Sequence, residues 1–531
     1  MTTRPGIKRR AVWGAAMAMQ LFGCDSGVKY PAGAGGAAGG SAGAVGGTAG
    51  ESGPVGGAGG GLGGSSVGGT AGDAAGGAGG GVAQGGAGGG AAGGAGGAGG
   101  APVALPACSS LPNPLYVMSG DTQVPVLKAL GKALRQDTTP TTIVWQATGS
   151  CTIVDAVYSG TPLKQNLSYI PADPAWDATT GTVPSCTPDA AGAPVQLGIP
   201  IVYPASCTST AMPTTVKAVK GPVQSFVFVV PKASTAQSIS AEEAYMVFGF
   251  GAAGAVAPWL DESFYFVRPA TKGTQVSLGA IIGVPATKWK GHPIDQSTNV
   301  ASMVAASTAP DKTIGILGTE IYDGTANRAA LRSLSFQAYN QTGGYFPDTT
   351  VTAFDKRNVR DGHYLGWSHV FYLTGADAGG AIADARASRV IDILTGSPTA
   401  AAPAGLNPLT LVAGKGLVPL CAMNVQRGVE GGPLSAFQST EPCGCFYESS
   451  VGAAPTSCVA CASSATCASG QTCLHGFCEA ASGRTSLSDC AAAPATDADI
   501  PNNACTGRTV APMRAKPQKE IDNGGTLPPL P

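Results

Sequence analysis

Charge is scarce in this chain, and what there is nearly cancels. Of 531 residues only 12% are charged, and 31 Lys and Arg against 32 Asp and Glu leave a formal net charge of -1. With no basic surplus there is nothing to draw nucleic acid or an anionic membrane surface, so nucleic acid is excluded as a partner. Histidine is rarer still. His292, His363, His369 and His475 show no metal-ligand spacing such as His-Glu-x-x-His. No Gly-x-Ser-x-Gly occurs, and Gly366-Trp367-Ser368-His369-Val370 lacks the second glycine that lets a nucleophile elbow turn. The sequence therefore predicts a protein that is not an enzyme and needs no cofactor or metal.

Glycine is abundant, with 80 residues, and so is cysteine, with 15. Residues 1–24 place Arg4, Lys8, Arg9 and Arg10 before an apolar run from Ala11 to Gly23, the pattern of a signal peptide too short to remain as a membrane span. The run ends in Leu21-Phe22-Gly23-Cys24, which resembles the lipobox of bacterial lipoproteins, where the cysteine carries the lipid anchor. The alternative is an ordinary signal peptide with an incidental cysteine. Removing Cys24 leaves fourteen cysteines, an even number suited to disulfides in an oxidising compartment. Residues 25–104 are almost all Gly and Ala with no aromatic after Tyr30, and hold too little large apolar surface to offset chain entropy. They are expected to form a disordered tether of about 50 Å mean reach.

From Cys108 the pattern changes. Leu115-Tyr116-Val117-Met118 reads as a buried strand, Ser119-Gly120-Asp121-Thr122 as a turn, and Val124, Leu127, Leu130 and Leu134 recur at helical spacing. The order repeats with a strand at 142–146, a turn Ala147-Thr148-Gly149-Ser150 and a helix through Ile153, Val154 and Val157. Two strand-turn-helix units predict an α/β fold with a mostly parallel sheet, whose ligands gather at the carboxyl ends of strands. Residues 162–194 read as a surface insertion, and 223–230 as the most apolar strand. Ser240-Ala241-Glu242-Glu243 reads as a capping box, and a strand at 263–267 delivers Arg268 at its carboxyl end. A helix is expected over 378–394 and a linker over 395–408.

This order of elements, with Arg268-Pro269-Ala270-Thr271-Lys272-Gly273-Thr274 after the later strand, resembles the phosphate-binding proteins of ABC transporters, members of the type II periplasmic binding proteins. The resemblance spans about Leu115 to Leu394. It implies two α/β lobes, about 108–220 plus 346–400 and 221–345, which together form a domain over 108–400 and close on an anion in the cleft between them. It also implies a ligand set: Ser119, Asp121 and Thr122 from the first turn, Ser150 from the second, and Arg268, Lys272, Gly273 and Thr274 from the arginine motif. Two positions depart from the family. Lys272 stands where the family has a serine, and Ile201 stands where it carries an aspartate that accepts the proton of monohydrogen phosphate. For Arg268 the alternative is a surface ion pair with Asp261 or Glu262.

Ten cysteines crowd the region 409–510, and their spacing resembles small disulfide-stapled modules of exported bacterial proteins. Cys458-Val459-Ala460-Cys461 leaves a zinc site as the alternative. Cys108, Cys151, Cys186 and Cys207 are candidates to pair within the first lobe. The proline-rich end, 511–531, is expected to be disordered. The resemblance thus implies a membrane-tethered solute-binding protein of the cell envelope, capturing a small anion such as phosphate and working with an ABC-transporter permease. The alternative is a surface interaction lipoprotein that keeps the fold and has lost the ligand.

Overall fold

The structure is a computed structural model that describes residues 104–480 except 340, 342 and 454–457, and then 510–511 and 516–531. The expected signal peptide, Cys24 and nearly all of the expected Gly/Ala-rich tether lie outside the described residues.

Strand β1 (Pro114–Ser119) is buried from Leu115 to Ser119, and helix α1 (Val124–Arg135) covers it with Val126, Leu127, Leu130 and Leu134. The unit repeats in β2 (Thr142–Ala147), parallel to β1, and α2 (Ser150–Ser159), which ends on Gly160 at φ 67°, a conformation that favours glycine. The stretch 162–194 differs from expectation. Its β3 (Leu167–Tyr169), antiparallel to β2, and β4 (Ser185–Cys186), antiparallel to β3, extend the sheet edge, and the Cys108–Cys186 disulfide fastens β4. β5 (Leu197–Ile199) lies parallel to β1 on its other side.

The next strand, β6 (Val216–Pro231), is twice the expected length and organises the molecule. It leads through β7 (Ser238–Ser240) to α3 (Ala241–Phe250). The predicted capping box is present: the Glu243 N–H donates to Ser240 Oγ, and the Ser240 N–H donates to the Glu243 carboxylate at 2.9 Å. β8 (Tyr265–Val267), α4 (Gly273–Ile282), β9 (His292–Pro293), α5 (Ser297–Ala305) and β10 (Ile314–Gly318) build a second parallel group. After α6 (Thr319–Tyr322) and α7 (Thr325–Ala330), β11 (Leu331–Ser333) pairs with the end of β6. β12 (Ser335–Gln337) and β13 (Gly344–Tyr345) form a small sheet with β7. Helix α8 (Arg357–Asp361) leads back to β14 (Trp367–Gly375).

The large sheet runs β4-β3-β2-β1-β5-β14-β6-β10-β8-β9. Residues 216–225 of β6 pair with β14, whereas 226–231 pair with β10 and β11, so β6 crosses from one half to the other. The chain crosses back at Tyr364–Trp367, where the Phe226 N–H donates to the Gly366 carbonyl at 2.7 Å. Two half-sheets joined by two crossing segments make a two-lobed α/β fold. Phe226, Val227, Phe228, Val229 and Val230 are fully buried where the halves meet.

The C-terminal part departs further from expectation. The helix expected over 378–394 begins only at Ala385 and runs to Thr395 (α9), because Asp377 accepts the Gly379 and Ala381 N–H groups in a turn with Gly380 at φ 78°, and Asp384 is the N-cap. The predicted linker separates nothing. α10 (Pro408–Ala413) and the following residues send Leu409, Val412, Val418 and Val425 into the same hydrophobic core as the lobes. β15 (Val425–Arg427) and β16 (Leu434–Ala436) form a hairpin, followed by α11 (Gly444–Ser450) and the hairpin of β17 (Gln471–Leu474) and β18 (Phe477–Ala480). Four disulfides staple this stretch: Cys421–Cys443, Cys445–Cys458, Cys461–Cys473 and Cys467–Cys478. In the segment around β17 and β18, which has little core of its own, cross-links stabilise by restricting the unfolded chain.

The tail expected to be disordered is ordered over 516–531. It carries α12 (Gln518–Asp522), accepts a 2.7 Å hydrogen bond from Tyr245 at Pro528, and lays Leu530 over Gly249. Its leucines supply the apolar contact that composition alone obscured. No helix among the described residues is long and apolar enough to cross a membrane.

Candidate functional site

Strands β1, β2 and β5 end in register with one another, and the residues that follow them meet those that follow β8 at the boundary between the lobes. Arg268 follows β8 and is 1% exposed. Its backbone N–H donates to Gln275 Oε1 at 2.9 Å, which fixes the turn into α4. Its Nη2 donates to both Asp121 oxygens, at 2.8 and 3.0 Å, and to the Asp295 carbonyl at 2.6 Å, while Nη1 donates to Ser297 Oγ. The Ser297 N–H adds a 2.9 Å bond to Asp121 Oδ2. Lys272 Nζ lies 3.7 Å from Asp121 Oδ1 and 3.0 Å from Asp295 Oδ1.

Asp121 therefore plays a different part from the one the resemblance implied. Its own carboxylate is held as an anion, reaching from the first lobe into a cradle built by the second. Burial alone would raise its pKa, but the Arg268 guanidinium, the Ser297 N–H and Lys272 outweigh burial and hold it below the usual carboxylate value. The surface alternative for Arg268 also fails: Asp261 instead accepts from Ser263, and Arg268 is buried.

The other predicted residues gather here with different roles. Ser150 Oγ accepts the Ile201 N–H at 3.1 Å. Ile201 lies over the start of α4, so that a Cβ on Gly273 would stand 2.3 Å from Ile201 Cγ1 and 2.7 Å from Ser150 Oγ. Glycine at 273 thus permits close approach of the lobes, and an isoleucine covers the helix N-terminus where an anion would sit. Thr274 is buried behind it. The lobes also touch through the Cys151 N–H, which donates to the Thr271 carbonyl at 3.0 Å. Ser119 Oγ, Thr122 Oγ1 and Arg268 Nε are buried without a hydrogen-bond partner. Polar groups left so are costly, by about 1–3 kcal/mol each.

Two features escaped the sequence. Gln123 Nε2 donates to Gln224 Oε1 at 2.6 Å, and Gln224 Nε2 donates to Glu320 Oε2 at 2.8 Å, a chain from the first turn across β6 to α6. Burial pushes the Glu320 carboxyl up to about 8, with Asp121 and Asp323 adding to the shift. Farther along, Lys356 Nζ sits between Asp323 Oδ2 at 2.7 Å and Asp348 Oδ1 at 2.8 Å, with Arg328 Nη2 3.1 Å from Asp348. These partners lie too far apart in the chain for any local pattern to join them.

The cysteine candidates resolve simply. Cys458 bonds to Cys445, and Cys461 to Cys473, so the Cys-x-x-Cys pair offers no thiolates. The sulfurs of Cys461, Cys467 and Cys478 cluster, but all three are in disulfides. In the first lobe the pairs are Cys108–Cys186 and Cys151–Cys207, and Cys490 and Cys505 lie outside the described residues. Ser368 donates to the Glu430 carboxylate at 2.8 Å.

The sequence matches no family model and no curated protein. Among solved structures the chain is similar to an ABC-type phosphate transport receptor from Vibrio cholerae, with 13% identity, 58% of this chain and 100% of that one covered, and a TM-score of 0.37. It is similar also to PstS from Borrelia burgdorferi, with 11% identity, 58% and 98% covered, and a TM-score of 0.33. A further likeness is to the reduced regulatory domain of OxyR from Pseudomonas aeruginosa, with 12% identity, 53% and 95% covered, and a TM-score of 0.29. At these values nothing transfers to individual residues.

Proposed function

We propose that this chain is an extracytoplasmic solute-binding protein, anchored through a lipid on Cys24 and a Gly/Ala-rich tether, that takes a small oxyanion between its lobes and passes it to an ABC-transporter permease. One observation carries the reading: Arg268, the Ser297 amide and Lys272 together grasp a carboxylate. That donor set suits any small oxyanion, and Asp121 is its resident occupant until a solute displaces it. The unpartnered Ser119, Thr122 and Arg268 Nε atoms are the further donors such a solute would use. With Ile201 in place of an acceptor, nothing rewards the proton of monohydrogen phosphate, so phosphate and sulfate compete on similar terms. Isothermal titration of the wild type and of Arg268→Ala with both anions tests the reading. Binding that Arg268→Ala abolishes supports it, and binding that Arg268→Ala leaves intact refutes it.

A second reading has its own support. Ile201 over Gly273 and the Asp121–Arg268 pair leave the cleft latched by the protein's own groups. On this reading the chain is a surface interaction lipoprotein that keeps the fold without the ligand, and its cysteine-rich end meets a partner. Absence of anion binding even after Asp121 is removed would favour it.

A further inference from the structure

We propose that the disulfide-closed hairpin Cys421–Cys443 is a built-in clamp across the hinge, holding the two lobes closed with no ligand present. Its base is fastened twice. Cys421 and Cys443 are bonded, with the Cys443 N–H donating to the Cys421 carbonyl at 3.0 Å. Just before it, Val418 and Val223 of β6 exchange backbone bonds at 2.8 and 2.9 Å. From that base the hairpin of β15 and β16 reaches β6 at Lys220 and the return crossing at Leu365 and Trp367.

Arg427 grips the return crossing. It is 2% exposed, its guanidinium carbon lies 3.8 Å above the Trp367 ring, and its Nη1 and Nη2 donate to the Trp367 and Leu365 carbonyls at 3.3 and 3.2 Å. The Arg427 carbonyl accepts from Tyr203 Oη in the first lobe and from Lys220 Nζ on β6. At the tip, Glu430 Oε2 accepts the Tyr203 N–H at 3.0 Å and the Ser368 hydroxyl at 2.8 Å. Its Oε1 has no hydrogen-bond partner, and the Ser277 hydroxyl of α4 is a neighbour. The next residue, Gly431, takes φ 63° and rests against α4, where an added Cβ would stand 3.1 Å from the Ala280 backbone. One short hairpin thus touches the first lobe at Tyr203 and Lys220, the return crossing and the start of β14 at Trp367 and Ser368, and the second lobe at Ala280.

In a two-lobed binding fold, closure is a hinge motion that a ligand favours by touching both sides. Here a segment of the same chain makes those contacts. Opening the hinge would strip Glu430 of its donors or lift Gly431 from α4, and the disulfide shortens the slack available to the hairpin. Glu430 also lines the groove of about 730 Å³ left at the lobe boundary beside Asp155, Thr271 and Thr287, so the tip stands at the edge that would widen on opening.

Amide hydrogen exchange on the full chain, with no anion added, tests the clamp independently of whether Arg268 binds one. Two amides report on the lobe boundary: Cys151, bonded to the Thr271 carbonyl, and Ser297, bonded to Asp121. Amides of Leu115–Met118 and Ile314–Leu317 report on the lobe cores. Glu430→Ala should speed exchange at Cys151 and Ser297 at least tenfold while both cores keep their protection. Glu430→Gln, which retains an acceptor, should give a smaller increase at the same amides. Unchanged exchange at Cys151 and Ser297 in Glu430→Ala overturns the clamp. So does loss of core protection in both variants, which would make the hairpin a support of the whole fold.

Discussion

Asp121 and Arg268, 147 residues apart in sequence, meet across the lobe boundary with both carboxylate oxygens within 3.0 Å of one guanidinium nitrogen. The pair unites two roles. It satisfies a set of oxyanion donors with the protein's own carboxylate, and it ties the first lobe to the second. A buried pair broken on one side leaves an uncompensated charge, and the cost of that exceeds what the intact pair contributes.

Asp121→Asn should therefore destabilise the protein by about 3 kcal/mol in urea unfolding. If the cradle, no longer neutralised by a carboxylate, takes an anion in place of the Asn side chain, sulfate at about 100 times its Kd should return roughly 2.7 kcal/mol. Destabilisation that sulfate does not relieve would show that Asp121 serves only as a tie.

The approach of Ile201 to Gly273 makes a second prediction. Gly273→Ala should cost roughly 1–3 kcal/mol, since its Cβ would fall 2.3 Å from Ile201 Cγ1. Ile201→Ala should cost about 2–5 kcal/mol by itself. In the double variant the alanine methyl occupies space the isoleucine vacated, and the cycle should show a favourable coupling of about 1 kcal/mol or more. Strict additivity would mean that the lobes do not meet there in solution.

Glu320 and Asp121 give opposite dependences on pH. The Glu320 carboxyl is raised to about 8 in the folded chain, so its contribution is fully present below the unfolded value near 4.5 and is lost as pH rises through about 8. Through this group stability should decline by roughly 3–4 kcal/mol between pH 5 and 8, and Glu320→Gln should remove that part of the slope. Asp121 is held below its usual value, so its contribution is present above about pH 4 and is lost as the solution is acidified further. Unfolding curves across pH 3–8 for the wild type and Glu320→Gln check both signs. A wild-type slope from pH 5 to 8 that Glu320→Gln leaves unchanged would assign it to another group.

Lys356 is 1% exposed between Asp323 and Asp348. Lys356→Met leaves these carboxylates facing each other with Arg328 alone, and should cost about 3–5 kcal/mol in thermal or urea unfolding. A loss under 1 kcal/mol would show that Arg328 suffices to neutralise both.

Much of the framework was legible because it is local. The apolar run Leu115–Met118, the helical spacing of Leu127, Leu130 and Leu134, and the capping box at Ser240 each depend on neighbours a few residues away. Arg268 could be placed at a strand end for the same reason. What Arg268 touches could not, because Asp121 and Ser297 arrive through tertiary folding, and a carboxylate reads alike whether it points to solvent or to a guanidinium. The length of β6 was hidden because Lys217, Lys220 and Gly221 interrupt its apolar pattern in the part that pairs with β14. The C-terminal hairpin was obscured by its cysteines, which suggest a separate module, whereas Val418, Val425 and Arg427 belong to the core of the lobes.

The most direct measurement is isothermal titration of the wild type, Asp121→Ala and the double variant Asp121→Ala/Arg268→Ala with phosphate and with sulfate at neutral pH. If the cradle around Arg268 is an anion site with Asp121 as its occupant, Asp121→Ala binds at least one of these anions about tenfold or more tighter than the wild type does. The double variant then loses that binding. Absence of saturable heat from Asp121→Ala with both anions contradicts the oxyanion-binding function and leaves the latched, ligand-free reading.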